Sequence, residues 1–572
     1  MKLGTISHYL GFATVALLLG TSLSLAQDPP ASQYAPTILV RNLKDPTNIA
    51  FRPDGKIYIT LKAGTVMLYD PVSKTSTTAA TLPAANVRED GLWALVLDPN
   101  FSVNRWVYVY FSERSTGDTS NVVARYETDA TTGALVTASR ATLLKIPYTL
   151  NNSTAEHNDG SLAFGPGGNL YIGLPDNTQN IFSGNGAGYS PRDPSRPLYD
   201  AQRSAANTND LRGKVLRIHP EANGTYTIPT GNLWEFINQP SFNPNWNASQ
   251  DDIAKVRKEI YTFGSRHPFR VTVDSVTGWV YWAEPGPNAT ADNAVTGPRG
   301  YEEVNVAKGP GYYGWPYCVG NNFCYTQYNY SNNTGGATYV PTTLQNTSVN
   351  NTGIRNLPPA KPAVVWYPYN STGTAFPVFG NSTVNTGSLG PIYNYSSAGA
   401  ADRLPAVFDR HLFIVEWVRN IILVGRIDSV GNMQNLRTFR SIRDTVTNGP
   451  IDIKIGKDGA LYFLNWVNST SGNTAYSYPT NSGTGTLVRF AYTGPQTAVS
   501  PQFHAAHLPV SRFEVFGFGA SLIMPVGARG IDCYDLKGTL AWHYRRTDVS
   551  QAENVSAPAG LTGVLRVRIR YE

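Results

Sequence analysis

Cysteine is scarce, with three in 572 residues, so a scaffold stapled together by disulfides is excluded. Cys318 and Cys324 stand close enough in a Gly/Asn-rich loop to close one small ring. Cys533 is left over; Ile531 and Tyr534 beside it suggest a strand, where a thiol is buried and inert rather than nucleophilic. Charge is also sparse: only 15% of residues carry it, and the net balance of +6 includes no long Lys/Arg run. Nucleic acid is therefore not an expected partner. Arg566, Arg568 and Arg570 alternate with Val567, Ile569 and Tyr571 and fall on one solvated strand face. Helical periodicity is nearly missing, with Asp251 to Tyr261 the one modest exception. No stretch after the N-terminus is long and apolar enough for a membrane span, and Leu10 to Leu25 falls short of the roughly 20 residues required.

What the N-terminus does hold is an address. Lys2, the apolar run and the small-residue site Ser24-Leu25-Ala26 read as a signal peptide over 1–26, with mature numbering from near Gln27. A secreted, extracellular protein is expected. Asn-x-Ser/Thr acceptors at Asn223, Asn247, Asn288, Asn346, Asn370, Asn381, Asn394 and Asn468 fit a glycosylated surface.

One phrase recurs along the chain: a strand, a tight turn and a second strand. Ile49 to Gly55 leads into Ile57-Tyr58-Ile59, Leu162 to Gly168 into Leu170-Tyr171-Ile172, and Ile453 to Gly459 into Leu461-Tyr462-Phe463. Looser copies run from Leu95 to Tyr110, Val271 to Trp282 and Leu404 to Val415. Six such units, each β-branched and aromatic around a Pro/Asp/Gly turn, predict an all-β, six-bladed β-propeller over 27–495. No single sheet covers its own apolar faces, so the units pack radially. The Asn/Thr/Gly/Pro-rich stretch from about Cys318 to Tyr393 is expected to be a surface insertion. After Pro495 the repeat stops, and 496–572 reads as a small C-terminal β-sandwich-like extension.

Chemistry is carried by loops that lead into strands. His157, in Glu156-His157-Asn158-Asp159-Gly160, stands just ahead of the third unit. Imidazole is the usual proton acceptor near neutral pH, and here a carboxylate adjoins it in the chain. Beyond this point the sequence resembles the soluble quinoprotein glucose/sorbosone dehydrogenases, in particular their fungal pyranose dehydrogenase relatives. The resemblance rests on Glu89 to Trp93, His157 to Gly160 with Phe164-Gly165-Pro166, Gly213 to Ile218 and Gly264 to Pro268. It continues through Glu284 to Asn288, Glu302 to Asn305, Tyr313 to Pro316 and Pro450-Ile451-Asp452, all in the family's order.

The resemblance implies oxidation of a sugar by hydride transfer to bound pyrroloquinoline quinone (PQQ), with Ca²⁺. It implies His157 as general base, Glu156 orienting it, and Arg266 at the quinone oxygen where negative charge grows. Glu89 matches a position near the substrate, though a turn residue fits it equally. His267, Arg419 and Trp417 are the remaining candidates for contact with the cofactor, Trp417 as a stacking face or else as a core residue. The carbonyls of Gly286 and Pro287 are implied as calcium ligands, although Gly-Pro is also ordinary turn chemistry. Glu303 and Tyr313 match a second, structural calcium site. Electrons would pass on to a cytochrome, a copper oxygenase or a small quinone.

Three departures stand beside these matches. Asp159 replaces a Gly of the bacterial pattern, His267 replaces an Asn, and the late cationic pair that grips the cofactor falls at Gly449 and Ile451, which carry no charge. Arg419, Arg440 and Arg443 are the available substitutes. Two other classes stay open: a propeller binding module that has lost the cofactor, and a calcium-dependent lactonase with side-chain carboxylates converging on its ion.

Overall fold

The computed structural model describes residues 28–151, 156–179, 191–381, 387–396, 402–417, 419–441, 449–466 and 484–495, together with the backbone of five short strands between 521 and 570. Six antiparallel sheets follow one another in the order the repeats predict. Their innermost strands are Pro46–Phe51, Leu92–Leu97, Ser161–Phe164, Arg270–Val273, Gly387–Tyr393 and Pro450–Ile455. Each pairs with the strand that follows it in its blade. The turn glycines do what the repeated phrase requires: Gly55 and Gly459 sit at φ +87° and +75°, in the left-handed region open to glycine. Ring closure comes from the N-terminal strand Tyr34–Leu43, which pairs antiparallel with Gly485–Tyr492 and completes the last blade.

Polar side chains on the inner strands stitch neighbouring blades. Asp452 Oδ2 accepts from Ile49 N–H at 3.0 Å, Asn48 Oδ1 from Leu95 N–H at 3.0 Å, and Ser161 Oγ from Val271 N–H at 3.1 Å. Arg270 reaches across the centre: its guanidinium donates to the carbonyls of Thr47, Trp93 and Ile451, three residues from three other blades. Each of the three stands at a register break in its blade's inner strand, and one planar fork reaches them together.

Several expectations are adjusted. The fifth unit's inner strand is Gly387–Tyr393, not a strand starting at Leu404, because a short 3-10 turn, Ala406–Phe408, precedes His411–Glu416. Asp251 to Tyr261 forms only a 3-10 turn, Ile253–Lys255, before the strand Ile260–Phe263. Within 318–393, Val365–Pro368 and Gly387–Tyr393 are blade strands. The remainder includes two small hairpins, the first clamped by the Cys318–Cys324 disulfide. Asn346 is not a surface acceptor: it is 2% exposed and its amide nitrogen donates to the carbonyls of Gln202 and Ala206. Beyond 495 there are a two-stranded and a three-stranded sheet, the latter centred on Gly530–Tyr534. Residues 1–27, Asn468, Arg443 and the side chains of Arg440 and Cys533 lie outside the described residues. Among the described residues no helix is long and apolar enough to cross a membrane.

Candidate active site

In an antiparallel blade the start of the first strand and the end of the second lie at the same end of the sheet. Glu89, His157 and Arg266 precede first strands; Asp176, Glu284 and Trp417 follow or end second strands. All therefore gather at one mouth of the propeller, although they are far apart in sequence.

His157 is 2% exposed, and its Nδ1 lies 2.7 Å from Asp176 Oδ1. An ionised carboxylate only accepts, so Nδ1 carries the proton and Nε2 is left with the lone pair. That Nε2 is buried and has no hydrogen-bond partner among the described residues. Burial, then the nearby Arg266 charge, holds the imidazole below its ordinary pKa against the pull of Asp176. His157 takes up φ +50°, a conformation a non-glycine residue adopts only when its surroundings hold it. Asn158 supplies that hold: its amide donates to Asp90 Oδ1 at 2.6 Å and Ser112 Oγ at 3.2 Å, while its own Oδ1 accepts from Asn121 at 2.8 Å.

The expected partner of His157, Glu156, is not the carboxylate on the ring. Its Oε1 accepts from Arg88 Nη2 at 3.1 Å, because the sharp turn at His157 sends adjacent side chains in different directions. Asp176 takes that place. It also accepts from Trp315 Nε1–H at 2.8 Å and from Thr178 N–H at 2.9 Å. Burial pushes its carboxyl up, but His157, then the Arg266 charge and the Trp315 hydrogen bond, hold it down to about 2.

Arg266 belongs to the same group: its carbonyl accepts from Asp176 N–H at 2.9 Å, and its guanidinium lies 6.0 Å from the Trp315 ring centroid. Its Nη1 donates to Pro285 O at 2.9 Å, and its backbone N–H donates to Glu284. A small, partly open pocket lies beside Arg266 and Trp315, lined also by Pro285, Gly286, Pro287 and Glu303. His157 does not line this pocket; Arg266 and Trp315, which do, both touch its partner Asp176.

His267 forms a second acid–imidazole pair. Its Nε2 meets Asp159 Oδ1 at 2.6 Å, and its ring centroid lies 5.1 Å from that of His157. Burial works against its charge, yet Asp159 and then Glu89 raise its pKa above the ordinary value. Glu89 is half-buried, accepts from Asn158 N–H at 3.3 Å, and is pushed up to about 7 chiefly by desolvation.

The residues expected to grip a cofactor or metal divide. Pro287 O already accepts from Ala289 N–H at 2.8 Å, while Gly286 N–H is braced by Glu302 at 3.0 Å. Glu303 accepts from Gly320 N–H and from Asn305 Nδ2, and burial together with the Glu284 charge raises its carboxyl well above the ordinary range. Tyr313 turns its hydroxyl onto Val306 O at 2.7 Å and packs edge-on against Trp282. Among the described residues no three His, Cys, Asp or Glu stand together as metal ligands, so a lactonase-type carboxylate cage has no counterpart there. Arg419 is buried, donates from Nη2 to Pro368 O at 3.1 Å and lies over Tyr367. Trp417 meets Trp466 edge-on at 6.1 Å, and Trp466 in turn stacks on Trp93 at 6.2 Å. At Gly449 the backbone N–H is taken by Asn420, and the Ile451 carbonyl by Arg270.

Sequence reasoning missed Asp176 and Trp315 as site residues. Asp176 follows a repeat strand, in Leu174-Pro175-Asp176-Asn177, and the rule that places His157 at the mouth also places the end of the next strand there.

The comparisons agree with this architecture. A model of the glucose/sorbosone dehydrogenase family matches residues 43–356, more than half the chain. Quinoprotein glucose dehydrogenase B of Acinetobacter calcoaceticus is 24% identical over 309 residues, 51% of this chain and 55% of that protein. Aldose sugar dehydrogenase YliI of Escherichia coli is 24% identical over 281 residues, 49% of this chain and 61% of that protein. Each match spans less than two thirds of the relative's own length. In three dimensions, the soluble aldose sugar dehydrogenase of Escherichia coli, solved in its apo form, aligns with a TM-score of 0.52 at 19% identity, covering 80% of this chain and 99% of that one. That likeness is one of fold; the family match settles membership, and the chain belongs to the glucose/sorbosone dehydrogenase family.

Proposed function

We propose that this chain is a secreted dehydrogenase that oxidises a sugar, an aldose, pyranose or sugar derivative, with PQQ and Ca²⁺. The observation that carries the reading is His157: a buried imidazole whose Nδ1 is fixed on Asp176 and whose Nε2 has no partner among the described residues, next to the guanidinium of Arg266. A ring nitrogen desolvated and left unbonded is costly unless something docks on it.

The residues present fit the quinone end of the cofactor better than its acid end. Arg266 would stand at the quinone oxygen, and the carbonyl of Gly286, a residue braced through its N–H by Glu302, would face the calcium. Trp417 is in place as part of an aromatic wall. The fold supplies no charged side chain at Gly449 or Ile451, so the acid groups would rest on fewer cations than in the bacterial pattern.

When bound, PQQ supplies the two-electron acceptor for the hydride leaving the carbinol carbon. This chain's residues handle the proton and the charge. His157 Nε2 takes the hydroxyl proton, Asp176 keeps the ring oriented and steadies the imidazolium that results, and Trp315 locks Asp176 by its indole N–H. Arg266 places a permanent positive charge next to the reacting group. The product is the sugar oxidised at that carbon, a lactone from an anomeric hydroxyl or a ketone from a secondary one, and the electrons leave to a cytochrome, a copper oxygenase or a small quinone.

The test is to purify the protein without cofactor, add PQQ and Ca²⁺, and follow both quinone binding and dye reduction over a panel of sugars. Sugar-dependent reduction supports the dehydrogenase. Binding of a sugar with no reduction, and no uptake of quinone, points to a propeller binding module instead.

A further inference from the structure

A second acid–imidazole pair stands beside the candidate base: Asp159 and His267 meet at 2.6 Å. They come from different blades, 108 residues apart, and both are buried. Neither residue alone has a reason to be there: an unpaired carboxylate or an unpaired imidazolium at that depth is strongly disfavoured, whereas the pair is self-consistent.

We propose that Asp159 and His267 form a positioning pair that sets the protonation of His157, by holding a second, charged imidazole against the base and so keeping the base in its proton-accepting form. This rests on the reading of His157 as the base. The geometry is a ring centroid separation of 5.1 Å at an interplanar angle of 39°. Two like charges that close in a buried site oppose each other by an amount equivalent to about one pH unit or more. Several elements supply the charged groups around the two rings. His157 faces Asp176 from the loop after its own blade's second strand, and Arg266 and His267 from the loop before the fourth blade, while the Glu89 carboxylate, from the loop before the second blade, accepts from its backbone N–H. His267 faces Asp159, Glu89 and Arg266, and its backbone N–H is held by Glu284 at 3.0 Å. Glu156 is turned away onto Arg88. Of the charges on His157, Asp176 favours its protonation while Arg266 and His267 oppose it. His267 is the member of this set whose own charge depends on a second partner, Asp159, so the pair acts as the adjustable element.

The pair is tested by following both imidazoles through a pH titration by NMR in the cofactor-free protein, in the wild type and in His267→Asn and Asp159→Asn. In the wild type, His267 is charged at a pH where His157 is neutral. In both variants the His157 midpoint rises by about one pH unit. In Asp159→Asn the His267 midpoint also falls. A His157 midpoint unmoved in folded variants overturns the proposal. If both variants fail to fold, the wild-type titration decides it: a His267 that is neutral where His157 is neutral removes the charge on which the pair depends. Because the readout needs no turnover, failure of sugar oxidation with the coupling intact discards the dehydrogenase reading and leaves the pair standing.

Discussion

His157 rests its Nδ1 on Asp176, 19 residues along the chain, and not on Glu156, its neighbour. The consequence is a base whose tautomer is fixed by a residue that itself answers to Trp315 and to the Arg266 backbone.

Replacing Asp176 by Asn is therefore expected to lower kcat by about 10²-fold or more, since the amide presents a donor to a ring that needs an acceptor. Glu156→Gln, which loosens only the contact to Arg88, is expected to cost less than about tenfold. Steady-state dye reduction with the reconstituted protein compares the two.

The pH dependence follows from the same contacts. His157 is held below its ordinary value of 6.5, so it remains an acceptor on the acid side of that value. The acid limb of kcat/KM is expected below pH 6.5, with activity lost as pH falls through the folded-state value. Asp176 bears on stability: its carboxyl is lowered from 3.8 to about 2 in the fold, so its contribution is present above 3.8 and disappears as pH falls through about 2. Acid unfolding of wild type and Asp176→Asn, followed by circular dichroism, is expected to show a weaker dependence over that window in the variant, with the remainder coming from other depressed carboxylates such as Asp274.

Arg270 ties the carbonyls of Thr47, Trp93 and Ile451 from three blades other than its own. Arg270→Met keeps much of the volume but strands those carbonyls. A loss of about 2–5 kcal/mol is expected, read from denaturant unfolding. A change within about 0.5 kcal/mol contradicts the bridging role.

Sequons differ in the same physical terms. Asn223 and Asn247 are exposed, and each Oδ1 accepts from the hydroxyl two residues on, at 2.7 and 2.8 Å. Glycopeptide mass spectrometry after eukaryotic secretion is expected to find glycans at these two and none at Asn346, whose amide nitrogen is committed within the fold.

The blades were readable because a hairpin turn is local chemistry: Pro53-Asp54-Gly55 and Lys457-Asp458-Gly459 announce themselves within a few residues. The fifth blade is harder to read because the connection between its first two strands, Gly387–Tyr393 and His411–Glu416, is long, and Leu404 to Val415, which runs from it into the second strand, mimics the repeated hairpin. Site residues that begin a strand, such as His157 and Arg266, were legible through motif and position. Asp176 was not, because nothing in a lone Pro-Asp at a strand end says which imidazole it will meet. The pairing of Asp159 with His267 is likewise not legible: each stands out only as a departure, and only the packing of the third blade against the fourth brings them within 2.6 Å.

The most direct measurement is sugar-dependent dye reduction by the protein loaded with PQQ and Ca²⁺, set against His157→Ala loaded in the same way. The account predicts turnover in the wild type and a fall of about 10²- to 10⁴-fold in the variant, with quinone uptake retained. An unchanged rate in His157→Ala would contradict the assignment of its Nε2 as the acceptor of the substrate's proton, and with it the central claim.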